Sequence, residues 1–134
     1  MPKRLILLLI LQFLSWRVLS QKPSNNAFLD SVGNYICIAG IKHPEIVMKQ
    51  AIWETGWFKS GFLMKKNNLF GFRGKSYLSF NKWQESVDYY KKWQERHYDE
   101  KKYKDYYDFL TQIRYGHSGY AKTLKAFNYR FSCP

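Results

Sequence analysis

The sequence predicts a mainly α-helical domain carrying one short β-hairpin. Apolar residues recur at three- and four-residue intervals along five stretches, the spacing that gives a helix one buried face. Glycine or proline punctuates several of these stretches, and only the segment 70–80 departs from the helical pattern. The length suits one compact domain, expected over residues 27–134, and is too short for two.

Phe28, Leu29, Val32, Tyr35, Ile36 and Ala39 share one face of a first helix, and Gly40 is its expected stop. Pro44 suits the first turn of a second helix, where Glu45 complements the positive end of the helix dipole. Ile46, Val47, Ala51 and Ile52 supply its apolar face, and Gly56 can take the left-handed conformation that ends it. Over 70–80, Gly71, Gly74 and Ser76 interrupt an aromatic run, which reads as a small hairpin. Asn81 followed by Gln84 resembles a capping box for the next helix, lined by Trp83, Val87, Tyr90 and Trp93. A further helix is expected over 101–113, with Tyr103, Tyr106, Tyr107, Phe109 and Leu110, and a last one over 119–127.

Residues 1–20 read as a secretory signal. Lys3 and Arg4 precede an apolar run over 5–14 broken only by Gln12, and Ser20 offers a small residue for cleavage. The run is short for a membrane span, although Trp16 and Arg17 leave an uncleaved anchor as the alternative. The chain is strongly basic, with 22 Lys and Arg against 10 Asp and Glu. Without Lys3, Arg4 and Arg17 the balance is 19 to 10, a net +9. Such a charge suits an anionic partner or simply a solvated lysine-rich surface. No nucleic-acid motif is present, so nucleic acid is not an expected partner. Two cysteines, Cys37 and Cys133, could form one disulfide in an oxidising compartment or remain separate thiols. Two cysteines and three scattered histidines offer no metal-site spacing, and no cofactor is expected.

One carboxylate stands out. Glu54 lies seven residues after Val47 and three after Ala51, which places it on the apolar face near the C-terminal end of the second helix. Burial there and the negative end of the helix dipole both favour the protonated form. A carboxyl group kept protonated can act as a general acid on a glycosidic oxygen. The plainer reading is a solvated helix end paired with Lys59 or a nearby lysine. Aromatics make up 19% of the chain; some must fill the core, and others can stack on sugar faces.

The run Lys-Gln-Ala-Ile-Trp-Glu-Thr-Gly-Trp-Phe around Glu54, followed by Asn-Asn-Leu-Phe-Gly-Phe-Arg-Gly from Asn67, resembles the two central motifs of the bacterial glucosaminidase family of cell-wall hydrolases. His43 to Val47 and Phe80 to Val87 are similar to flanking parts of that family, so the likeness covers about 28–127. It implies a lysozyme-like α-helical fold and hydrolysis of the glycan strands of peptidoglycan, at the β-1,4 bond after N-acetylglucosamine. It implies that Glu54 is the catalytic acid and that the Asn68, Leu69, Phe70 and Gly71 loop lies beside the cleft. Leu69 and Phe70 are expected to pack that loop on the core, with Gly71 serving the turn. Asn68, Phe70, Gly71, Tyr77 and Trp57 are the candidates for substrate binding.

The chain also departs from the family pattern. Longer members carry a second acid on an extended hairpin, whereas no Asp or Glu lies between Glu54 and Glu85 here. Glycosidases ordinarily use two carboxylates. Three substitutes are open: the substrate's 2-acetamido group as nucleophile, a tyrosine (Tyr115 or Tyr120) stabilising the transition state, or recruitment of Glu85 or Asp88. The expected product is an exported monomer acting on peptidoglycan in the periplasm or at the cell surface, with no stable membrane span after signal cleavage. A lytic transglycosylase and a non-catalytic wall-binding module are the alternatives.

Overall fold

The computed structural model describes residues 25–134. The expected signal, residues 1–20, lies outside the described residues. The chain divides into two compact units, Met1–Asp30 and Ser31–Pro134. The second unit contains the cleft and all the packing described below. Six helices occur among the described residues, and they supply most of the core: α1 (Asn25–Ile38), α2 (Pro44–Thr55), α3 (Gly61–Lys65), α4 (Trp83–His97), α5 (Tyr106–Gln112) and α6 (Tyr120–Ala126). The fold is mainly helical and lysozyme-like, as expected.

The second helix, α2, is central. Six consecutive residues from Val47 to Ile52 are buried, including Lys49 and Gln50. A helix buried on nearly every side belongs to the interior rather than to a surface layer. Its start follows the sequence expectation, with Pro44 in the first turn after His43 in a left-handed conformation. Glu45 has a second role, because its carboxylate accepts a hydrogen bond from the Phe131 N–H at 3.0 Å. Gly56 ends the helix in the left-handed region, with its N–H returning to the Ile52 and Trp53 carbonyls.

Helix α6 packs on both α2 and α5, which brings the end of α2 against the 115–120 segment. On the other side, α4 buries Val87 and Tyr90. The Tyr35 hydroxyl on α1 donates to Asp88 on α4 at 3.0 Å. Cys37 at the end of α1 is bonded to Cys133, with Cα atoms 5.7 Å apart. The chain therefore carries the disulfide, and the open alternative of two thiols is excluded.

Three local expectations change. The hairpin reduces to a single antiparallel bridge between Arg73 and Tyr77, with no strand among the described residues. The helix expected over 101–113 begins only at Tyr106. Asp105 accepts from the Asp108 N–H at 2.8 Å, and Asp108 accepts from the Lys104 N–H at 3.0 Å. This reciprocal cap starts the helix there and leaves 101–105 as turns. The capping partner before α4 is Glu85 rather than Gln84, since Glu85 Oε2 accepts from the Asn81 N–H at 2.9 Å. The short helix α3 has no counterpart in the expectations. Five residues are too few to show periodicity, and its start rests on one hydrogen bond from the Leu63 N–H to Ser60 Oγ.

Candidate active site

The site is built from the last turn of α2, the 68–73 loop, α4 and the 115–117 loop. Glu54, Phe70, Gly71, Phe72, Arg73, Tyr77, Trp93, Tyr115, Gly116 and His117 line one open cleft of about 610 Å³, within the range of roughly 300–1,000 Å³ common for ligand sites. Among these residues Glu54 is the one Asp or Glu.

Glu54 is half-buried. Burial pushes its carboxyl above its ordinary value, while the neighbouring Tyr120 hydroxyl and His117 ring pull the other way and do not cancel the rise. No lysine forms an ion pair with it among the described residues, so the Lys59 reading fails. The close neighbour is instead Gly71. A Cβ on Gly71 would stand 3.1 Å from Glu54 Oε2, and Gly71 has φ +65°. Only glycine combines that backbone with that approach at no steric cost. The loop can therefore bring its backbone to the carboxyl.

The loop is held from within by Asn68. This side chain is completely buried. Its Nδ2 donates to the Phe72 and Leu78 carbonyls at 2.8 and 3.0 Å, and its Oδ1 accepts from the Phe72 N–H at 3.0 Å. Asn68 thus has its amide hydrogen bonds committed to the backbone and does not face the groove, which corrects its assignment to substrate binding. Phe70 lines the cleft, yet its side chain is 1% exposed and its ring lies 4.6 Å from Tyr90 in the core. Its carbonyl is also taken up within the protein, accepting from the Tyr115 hydroxyl at 3.2 Å.

Tyr77 stands on the rim, 36% exposed. Arg73 lies over its ring at 5.0 Å and Phe62 meets it edge-on at 5.3 Å. Trp57 is not in this cleft. With Trp53, Phe127, Ile52 and Gly56 it lines a separate apolar groove of about 220 Å³. The turn explains the displacement: Gly56, Trp57 and Phe58 are all left-handed, which directs the chain away from the helix axis and carries the indole to the other side.

Tyr115 lines the cleft beside Trp93, ring to ring at 5.5 Å. Tyr120 is 2% exposed and is not a lining residue. Its hydroxyl is close enough to act on Glu54, but no hydrogen bond of ordinary geometry closes between them. Burial raises both phenols, and the Glu54 charge adds to the rise. Both therefore stay protonated as donors. Gly116 (φ +69°) lets the loop lie on the Tyr120 ring, where a Cβ would come within 2.6 Å.

Glu85 and Asp88 do not serve the cleft. Glu85 caps α4, and Asp88 accepts from Tyr35. Sequence reasoning missed Arg73, Trp93 and His117 as cleft residues. Trp93 was placed on the core face of its helix, where it also packs against Tyr90 at 5.2 Å. For Arg73 and His117 no local signal existed, because an exposed polar side chain in a loop looks like any other on so basic a chain.

The helical domain thus sets a single half-buried carboxyl group in an aromatic cleft. The family model for glucosaminidase, described as mannosyl-glycoprotein endo-beta-N-acetylglucosaminidase, matches residues 38–131. The chain belongs to this family, one of glycoside hydrolases acting on peptidoglycan glycan. No curated protein and no solved structure gives a match. Among the described residues no helix is long and apolar enough to cross a membrane, and no group of acidic, histidine or cysteine side chains is arranged to hold a metal.

Proposed function

We propose that this chain is an exported hydrolase of the β-1,4 bond after N-acetylglucosamine in peptidoglycan, with Glu54 as general acid. The observation that carries the reading is Glu54 itself, the lone carboxyl of the cleft, held above its ordinary proton affinity by burial. In the first step the Glu54 proton passes to the glycosidic oxygen and the bond to the leaving sugar breaks. With no second carboxylate in the cleft, the carbonyl oxygen of the substrate's own 2-acetamido group attacks the anomeric carbon, a known exception to the two-acid plan. Water then opens the cyclic intermediate, and Glu54 takes back a proton. Tyr115 and Tyr120, both kept protonated and both sensing the Glu54 charge, are the hydroxyls that assist from the protein side. Tyr77, Arg73, Trp93 and the Gly71 backbone are the candidates for holding the sugar.

Glu54→Gln is the test. Turnover of purified peptidoglycan is expected to fall by roughly 10²–10⁴-fold, the usual contribution of a positioned acid, with binding retained. Undiminished turnover removes Glu54 from the role of acid. A lone acid also fits a lytic transglycosylase. Mass spectrometry of the fragments separates the two, because the hydrolytic product carries one added water and the other product does not. The reducing-end sugar reports which bond is cut.

A further inference from the structure

A buried polar chain crosses the core to Gln50, with Tyr120 and Glu54 beyond it. Its members are nearly inaccessible: Gln50 and Tyr90 at 0%, Tyr106 at 1%, Gln94 and Tyr120 at 2%. It starts at a backbone. The Lys42 N–H donates to Gln94 Oε1 at 2.8 Å, and Gln94 Nε2 donates to the Lys42 carbonyl at 2.9 Å. Backbone groups cannot exchange their donor and acceptor roles, so the Gln94 amide has one orientation. Its remaining N–H therefore donates to the Tyr106 hydroxyl at 3.0 Å.

From there the direction propagates. A hydroxyl carries one proton. Tyr90 gives its one proton to Gln50 Oε1, so the proton in the 2.6 Å bond between Tyr90 and Tyr106 comes from Tyr106. The Gln50 amide is thereby turned so that Nε2 faces away from Tyr90. Gln50 Nε2 and the Tyr120 hydroxyl are the two buried side-chain polar atoms among the described residues that lack a closed hydrogen bond; Gln50 lies near enough to act on the Tyr120 hydroxyl, and Tyr120 on Glu54. Leaving such atoms unpaired is costly, and their mutual approach is the available remedy.

We propose that Gln50 is a positioning residue: its amide, oriented from the Lys42 backbone through Gln94, Tyr106 and Tyr90, donates toward Tyr120 and so aims the Tyr120 hydroxyl proton at Glu54. One oxygen of the Glu54 carboxyl then receives a donor from the protein interior. The acid proton is left to the other oxygen, free to face the sugar. Gln50 touches no substrate, and its effect passes through Tyr120. The inference rests on the reading of Glu54 as the acid only in its catalytic consequence.

The test reads Glu54 directly. Its side-chain carboxyl resonance, assigned by its loss in Glu54→Gln, is followed against pH in protein labelled with ¹³C-glutamate and free of substrate. Tyr120→Phe removes a donor that favours the carboxylate, so the Glu54 midpoint should move to higher pH. Gln50→Leu should move it in the same direction, and Gln50→Leu combined with Tyr120→Phe no further than Tyr120→Phe alone. An unmoved midpoint in Gln50→Leu, or an added shift in the Tyr120→Phe background, overturns the proposal. For the wild-type protein, nuclear Overhauser contacts should link the Gln50 Nε2 protons to Tyr120. Contacts to the Tyr90 hydroxyl instead reverse the direction of the chain and refute it, even if every variant fails to fold. On soluble glycan fragments, Gln50→Leu should lower kcat roughly tenfold through misplacement of the acid, with KM unchanged. A shifted midpoint in a protein that cleaves no glycan would sink the hydrolase reading and leave the positioning role standing.

Discussion

Glu54 is expected to weaken the fold that uses it. Burial raises its proton affinity in the folded chain above that of the unfolded chain. Between the two values the folded state binds more protons than the unfolded state, so stability falls as pH rises through that window. The contribution is intact below the ordinary carboxylate range and lost above the raised value. Glu54→Gln should therefore raise the melting temperature near neutral pH, and the gain should vanish in acid. Thermal melts of both proteins across pH check this; a gain of equal size at every pH would show that charge is not its source. The helical position of Glu54 was legible in the sequence because i, i+3 and i+7 spacing is local. The arrangement around it was not. Tyr120 and His117 lie more than sixty residues away in sequence, and only packing of α6 on α2 brings them together.

At the scale of elements, the 68–78 loop shows what a motif can and cannot convey. The Asn-Asn-Leu-Phe-Gly run correctly marked a loop beside the cleft, yet its polar residue turned inward and its glycine turned toward the acid. Asn68 makes three hydrogen bonds to backbone groups of Phe72 and Leu78. Asn68→Ala leaves those groups without partners, and a cost of about 2–4 kcal/mol is expected from several lost buried hydrogen bonds. Denaturant unfolding measures it. Glycan binding should weaken too, as the loop loses its shape, even though Asn68 never meets the sugar. The expected hairpin was misread for a related reason. Alternating aromatics do suggest strands, but with one bridge at Arg73 and Tyr77 the segment is held by Asn68 and by the Leu78 N–H bonded to the Phe72 carbonyl at 2.9 Å. A five-residue excursion needs no ladder when a buried amide closes it.

Across the whole molecule, the disulfide closes a loop of 96 residues, from the end of α1 to the C-terminus. In the chain-entropy account such a closure contributes about 4–5 kcal/mol, and removal of a native bridge from a small secreted domain commonly costs about 2–5 kcal/mol. Cys133→Ser should lower stability by that order in denaturant titration, with turnover of the folded fraction unchanged, because neither cysteine lines the cleft. A variant as stable as the parent would mean that the terminal segment is held by its other contacts, the Phe131 N–H and Arg130 at 3.6 Å on Glu45 and the Tyr129 ring against Trp57. The basic surface also belongs to this scale. A net charge of +12 over the full sequence attracts polyanions without specifying one.

The sequence by itself determined the helical class, the limits of the central helix, the place of Glu54 on it and the absence of any Asp or Glu between Glu54 and Glu85. Each is a matter of local spacing or plain residue identity, and neither depends on how the chain closes. Tertiary structure alone decided which aromatics share the cleft with Glu54. Trp57, three residues away, was carried to another groove by a left-handed turn, while Trp93 and Tyr115 arrived from distant elements. It also decided that Asn68 is a clamp and that Gln50 stands at the end of a polar chain. Burial and hydrogen-bond direction arise from neighbours across the fold, and residue order along one helix does not contain them.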